Sequence, residues 1–348
     1  MARFWLYKRR LEVLIVVKRK LLILELWGLG DLAIATPFLQ AAAEKYEVTL
    51  LAKPYALELQ PRLWPNIHVE PFNAPWTPFK HKYQLWKWPW PTMLELKRKM
   101  QAQAFDYGLS GRWDPRDHLL LFSLGARERL GFPRMGSQRF LTQTLTKPKI
   151  TAHRSEFWQL AGKTLDLAIP NRDQLVFQPR LDAKSILVHS GARLPARVWP
   201  LAHFQRIVER LRREFNVPVQ VACDPDQLTW WKSHEPSVVC PRSVTELYQF
   251  VDQAALFVGN CSGPGHLAAI AGAPTFTIFG PSLPEWFIPM HPAAHAFMGR
   301  NCPYRPCADY CHFKTPECLT LVLPDEVWPE LKTFVKQFLP AGKPILQK

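Results

Sequence analysis

Residues 256–289, LFVGNCSGPGHLAAIAGAPTFTIFGPSLPEWFIP, constrain the chain more than any other stretch. LFVG (256–259) is a short apolar run that stops at Asn260 and the turn Cys261-Ser262-Gly263-Pro264-Gly265. HLAAIAG (266–272) carries small and apolar residues at helical spacing and closes on Gly272, a helix stop. TFTIFG (275–280) is β-branched and aromatic, and Gly280-Pro281 ends it. Strand, tight turn, helix and strand in that order belong to an open parallel sheet, with the turn at the carboxyl end of the first strand. There the first N–H groups of the helix have no partner within it and point one way. Glycines admit a ligand close to that backbone and the helix dipole adds partial positive charge, so the fitting guest is a phosphate. Ser262 adds a hydroxyl and His266 a ring nitrogen. Either glycine turn alone would suit a plain crossover; two of them around one helix, with Ser and His between, favour phosphate.

The same alternation recurs along the chain. LLILEL (21–26) is a buried-strand run, WGLGDLAIATPFLQAAAEKY (27–46) turns into a helix with Asp31 near its start, and EVTLLAK (47–53) is the next strand. A strand at 68–72, a helix at 92–105, strand DYGLS (106–110) and a helix near 117–124 follow. The pattern weakens over 147–179, as a helix and then a linker would. A second series opens at SILVHS (185–190), with an apolar stripe of Phe204, Ile207, Val208, Leu211 and Phe215 on a helix over 201–215. Strands at 217–223 and 237–240 and a helix at 245–254 lead back to the opening stretch. This predicts an α/β protein of two doubly wound parallel-sheet domains, 1–175 (with a basic leader, 1–20) and 176–322, and a terminal piece, 323–348. Its helix, 325–339, has Asp325 as N-cap and is placed to pack back on the first domain. A length of 348 residues with 47% hydrophobic content supports two packed cores.

The formal net charge is +15, and the first 174 residues hold 27 Lys+Arg against 15 Asp+Glu. That half is expected to face something anionic: a phosphorylated substrate or a membrane surface. Nucleic acid is the weaker partner, because no helix-turn-helix, zinc-finger or RNA-binding signature occurs. Residues 74–92, APWTPFKHKYQLWKWPWPT, interleave bases and aromatics in a way that suits a membrane interface, a sugar acceptor or a single strand, and equally a surface excursion. No secretory signal and no membrane-spanning run is read, which points to the cytoplasm, with peripheral contact at the inner face of the membrane open. Seven cysteines, an odd number, fit free thiols or a metal cluster better than a disulfide framework. Cys302, Cys307, Cys311 and Cys318 are spaced C-x4-C-x3-C-x6-C, which leaves a structural zinc, an iron–sulfur group and reduced thiols all open.

In the second series GARLPARVWP (191–200) follows the first strand, where Arg197, and beside it Arg193, would meet a diphosphate. Together with GLGD…TP (28–37) and GNCSGPGHLAA…FGP (259–281), the segment RVWPLAHF resembles the family of bacterial lipopolysaccharide heptosyltransferases, over roughly residues 21–331. The resemblance implies two Rossmann-like domains facing a cleft (the GT-B arrangement), an anionic glycolipid acceptor on the first and a nucleotide-diphospho-sugar of the ADP-heptose type on the second. It also implies transfer with inversion and no cofactor or metal required for catalysis. By the same resemblance Asp31 is the general base and Arg197, Ser262, Gly263, Gly265, His266 and Ser282 belong to the donor side; Gly30, Lys53 and Arg112 are the candidates for the acceptor side. Asp226, or Asp224 beside it, is the candidate for the ribose. One position departs: the family usually has Asp before Ser-Gly, where this chain has Cys261, whose thiol is a poor substitute for carboxylate lone pairs. That departure leaves open a degenerate transferase fold kept for binding. A nicotinamide-dependent oxidoreductase is the other rival, since Gly28, Gly30 and Ala33 form G-x-G-x-x-A after a strand. Against it, Asp31 would stand beside the pyrophosphate and the next strand ends in Lys53 rather than an acid.

Overall fold

The computed structural model describes residues 18–78, 82–178, 180, 183, 185–307 and 310–339; most of the basic leader and residues 79–81 of the Trp-rich loop lie outside them. Two parallel sheets organise the chain. The first contains β1 (Lys20–Glu25), β2 (Glu47–Ala52), β3 (His68–Pro71), β4 (Tyr107–Ser110), β5 (Glu128–Gly131) and β6 (Gln143–Thr144) in the order β3-β2-β1-β4-β5-β6. Every pairing is parallel. Its crossovers are α1 (Leu29–Lys45), α2 (Ala56–Leu63), α3 (Trp90–Gln101) and α4 (Pro115–Ser123), and α5 (Arg154–Thr164) follows the last strand. This is a doubly wound sheet whose strand order reverses between β1 and β4, the place where such sheets bind ligands.

The second sheet contains β7 (Ser185–His189), β8 (Val219–Ala222), β9 (Ala254–Asn260), β10 (Thr275–Phe279) and β11 (Ala294–Met298), ordered β11-β10-β9-β7-β8. Residues 237–240, read above as a strand, contribute a single parallel bridge, Val239 to Ala222. With that bridge counted as a vestigial strand beside β8, the second sheet has the winding of the first and reverses between β7 and β9. The helices here are α6 (Leu201–Glu214), α7 (Leu228–Lys232), α8 (Val244–Gln253), α9 (Gly263–Ile270), α10 (Pro284–Phe287), α11 (Glu317–Thr320) and α12 (Pro324–Phe338). The predicted stripe of α6 is buried at Phe204, Ile207, Val208 and Leu211.

Two terminal expectations are corrected. Helix α12 packs on α6, β9 and β11, not on the first domain. Its apolar face of Val327, Leu331, Phe334 and Val335 completes the core around Phe204, Leu211 and Phe276, which would otherwise be open to water. Its N-cap is Leu323; Asp325 sits in the first turn and pairs with Arg210 of α6. Sequence reading also missed α2, where Pro61 and a polar composition hide a helix, and β11, a short edge strand.

The two halves meet through α1. Leu32 to Leu39 are all buried in that helix because β1 and β2 lie on one side of it and α9 on the other. A single core cluster therefore runs from Ile23 and Phe38 through Leu267 and Ala268 to Phe257. The Thr245 N–H at the start of α8 donates to Glu58 Oε2 (2.8 Å), and the Trp286 indole donates to the carbonyl of Ile150 (2.6 Å). His153 Nε2 lies 2.9 Å from the carbonyl of Ile288. Among the described residues no helix is long and apolar enough to cross a membrane.

Candidate active site

The two strand-order reversals face each other across a cleft of about 780 Å3. On the first wall β1 ends at Glu25 and the chain turns through Trp27 and Gly28 into α1. Asp31, in the first turn of α1, accepts the Gly28 N–H at 3.2 Å and pairs with Arg112, which the turn after β4 supplies. A carboxylate at this helix position is favoured by the dipole and holds its own turn closed. Burial works to raise Asp31, but Arg112, then Arg154, the Gly28 N–H and His266 outweigh it and hold the carboxyl below its ordinary range. Asp31 is thus an ionised carboxylate on the cleft surface.

Glu25 lies behind it, 3% exposed. Burial, then the Asp31 charge, push Glu25 up to about 8, so it is protonated at neutral pH and leaves the negative charge to Asp31. Arg112 lies over the Trp27 ring, 5.1 Å from its centre. The Trp27 and Trp76 indoles donate to the two oxygens of Asp117 at 3.2 and 2.7 Å. Arg154, at the first position of α5, lines the cleft with its guanidinium 4.3 Å from the centre of the Trp113 ring, and Phe287 of the other half lies 5.8 Å away. No carboxylate among the described residues bonds to it, and burial, then Arg112, lower its pKa. Sequence reading missed Arg154, Glu25 and Asp117. Arg154 gave no signal, because its distance from the GLGD turn closes only through the packing of α5 on α1.

The opposite wall is the turn between β9 and α9. Ser262 is the N-cap of α9, and its hydroxyl and the Nδ1 of His266 are buried without a hydrogen-bond partner. Orphaned buried polar atoms at a helix start are what a bound anion or hydroxyl would satisfy. Asn260, wholly buried, donates to the Ser190 carbonyl (2.7 Å) and accepts from the Trp199 N–H (3.0 Å), so it ties the turn after β9 to the 190–199 loop that carries Arg193 and Arg197. Arg193, Arg197, Ser262, Gly263 and His266 all line the cleft. The two walls come close: a Cβ on Gly30 would lie 2.8 Å from Cδ2 of His266, and one on Gly263 3.1 Å from Cβ of Leu29.

Several expected residues stand elsewhere. Gly265 and Ser282 lie behind the cleft wall; Ser282 is fully buried against the Cys261 thiol, which burial pushes up to about 11 and keeps protonated. Lys53 also stands off the cleft surface, near enough to Arg193, Asp31 and Glu25 to feel their charge. Of the two ribose candidates Asp224 lines the cleft, packed on Gly191, whereas Asp226 faces a neighbouring groove. Cys302, Cys307, Cys311 and Cys318 are free thiols, and among the described residues no three His, Cys, Asp or Glu side chains are grouped so as to hold a metal ion. The thiols lie near enough to feel one another's charge, Cys307 that of Cys311 and Cys302, and Cys318 that of Cys307 and Cys302.

A family model, glycosyltransferase family 9 (heptosyltransferase), matches residues 93–315. Solved structures are similar over nearly the whole chain. Escherichia coli ADP-heptose LPS heptosyltransferase II superposes with a TM-score of 0.69 at 15% identity, covering 92% of this chain and 99% of its own. E. coli heptosyltransferase WaaC with ADP gives 0.70 at 14% identity, covering 90% and 99%. A family 9 glycosyl transferase from Veillonella parvula DSM 2008 gives 0.72 at 17% identity, covering 92% and 98%. No curated protein sequence matches. The two-domain fold is therefore that of the GT-B heptosyltransferases.

Proposed function

Because the chain belongs to glycosyltransferase family 9, the heptosyltransferases, and is a sugar-transferring enzyme, we propose that it moves a heptose from a nucleotide-diphosphate donor of the ADP-heptose type onto an anionic glycolipid acceptor. The observation that carries this reading is the opposition, within one cleft, of the ionised Asp31 at the start of α1 to the unpartnered Ser262 and His266 at the start of α9. The donor diphosphate sits at the α9 N-terminus, its charge met by Arg197, Arg193 and the backbone N–H groups. Asp224 is the acid best placed for the ribose.

The acceptor lies on the wall of Asp31, its anionic group against Arg154 and Arg112. Its hydroxyl oxygen attacks the anomeric carbon as Asp31 takes the proton, and the bond from that carbon to the phosphate oxygen breaks. Attack from the wall opposite the leaving group inverts the anomeric centre. A carboxylate held below its usual range is a weak resting base, but the hydroxyl becomes acidic as its oxygen bonds to carbon, so transfer occurs late. We assign no metal to this step, because the side chains and helix start already supply positive charge at the leaving group.

Asp31→Asn tests the assignment, since it keeps the size and the acceptor for the Gly28 N–H. Turnover is expected to fall about a hundredfold or more while ADP binding is unchanged. Wild-type turnover in that variant sinks the mechanism.

A further inference from the structure

Residues 83–94 form a cluster of outward-facing apolar groups beside the acceptor wall. Tyr83 is 74% and Trp86 77% exposed, and Leu85, Trp90 and Leu94 are each about half exposed. Trp90 and Leu94 share one face of α3, whose other face buries Leu96 and Met100. The ridge is held in place: the Trp90 indole donates to the Leu85 carbonyl (2.9 Å), and Trp88 packs between Trp76 and Trp90 at 5.5 Å from each. Trp76 is anchored on Asp117, which also holds Trp27 at the cleft, so the ridge is continuous with the acceptor side. Its charge is one-sided. Residues 82–99 carry five basic residues against one acidic; Lys99 pairs with Glu70, which leaves Lys82, Lys87, Lys97 and Arg98, and Lys82 lies 5.1 Å from the centre of the Tyr83 ring.

We propose that this face docks on an anionic lipid bilayer, Trp86, Leu85, Trp90 and Leu94 entering the headgroup region while Lys82 and Lys87 meet lipid phosphates. Tryptophan and tyrosine favour that interface because the ring is apolar and its N–H or O–H stays wet. Lysines beside them add attraction that depends on anionic lipid and on salt. Single-stranded nucleic acid also suits aromatics mixed with bases. Here Trp88 and Trp90 pack on neighbouring rings and Leu85 and Leu94 share the face, which suits acyl chains better than stacked bases. Docking would bring the mouth of the acceptor wall to the membrane surface; this rests on the proposed lipid-borne acceptor, whereas the binding itself does not.

The test is co-sedimentation of the full chain with phosphatidylcholine vesicles, with and without phosphatidylglycerol. Binding is expected to the anionic vesicles and to weaken with salt. Leu85→Ser with Trp86→Ser should lower partitioning at least tenfold, and Lys87→Gln about fivefold. All these side chains are exposed, so unfolding temperature and ADP binding should not change. Equal partitioning of wild type and both variants overturns the proposal, as does wild-type binding to neutral vesicles as strong as to anionic ones. Retention on a single-stranded oligonucleotide without vesicle binding overturns it too. Loss of ADP binding in the wild type would count against the proposed function and leave the vesicle result standing.

Discussion

Gly30→Ala measures how closely the two walls must approach. The new methyl would lie 2.8 Å from Cδ2 of His266, 3.5 Å from its Cγ and 3.6 Å from the Gly263 backbone. Carbon contacts are comfortable at about 3.5–4.0 Å, so something must give by more than half an ångström. The His266 ring is 6% exposed and borders the cleft, so either the ring turns toward that space or α1 shifts against α9. Overpacking of this kind costs about 1–3 kcal/mol. Alanine in a helix returns about 0.5–1 kcal/mol of backbone entropy, so the expected net loss lies between about 0 and 2.5 kcal/mol, at most a few degrees in unfolding temperature. The loss in turnover should be larger than stability alone implies, because a 1 Å misplacement of reacting groups costs about a hundredfold. Denaturant unfolding and steady-state transfer read the two effects separately. Adding His266→Ala should restore stability by removing the ring but leave turnover low. If Gly30→Ala unfolds and turns over as wild type does, the close approach is not a feature of the working enzyme.

Further outcomes follow from the buried charges. His153, His189, His266 and His291 are each held near 4 by burial, so they are neutral in the fold and charge only when it opens. Their folded values lie below the unfolded 6.5, so stability falls as pH drops from about 6.5 toward 4; a flat urea midpoint between pH 7 and 5 would refute this. Glu25 has the opposite sign: its folded value of about 8 lies above the unfolded 4.5, so its contribution is full below 4.5 and lost as pH rises to about 8. Glu25→Gln should flatten that limb in unfolding measurements, and an unchanged slope would refute the burial argument. Arg154→Met should raise the acceptor KM about tenfold or more and leave the donor KM alone, in line with loss of a charge-assisted contact; a raised donor KM would place the residue wrongly.

What the sequence revealed is what a short segment can encode. The turn CSGPGH lies within a few residues of a strand end, so Ser262 and His266 could be read from helix-start physics, whereas the role of Asp31 in the GLGD turn came only with the family resemblance. Arg197 needed the resemblance, since a loop arginine alone is usually a surface residue. Arg154 and Glu25 matter through neighbours from other elements, and nothing local marks them. Asp224 and Asp226 follow the same strand, and only the fold, with Asp224 packed on Gly191, shows which one faces the cleft. Residues 237–240 have strand composition, but the sheet needs only one bridge from them.

The burial of α1 on both sides has a consequence for side reactions. The helix that carries Asp31 is also the surface on which the second half rests, so any parting of the halves would carry Asp31 away from the Ser262–His266 turn. On the proposed mechanism, water entering such a gap would meet the donor with Asp31 withdrawn, so the packing of α1 on α9 would also limit hydrolysis of the donor.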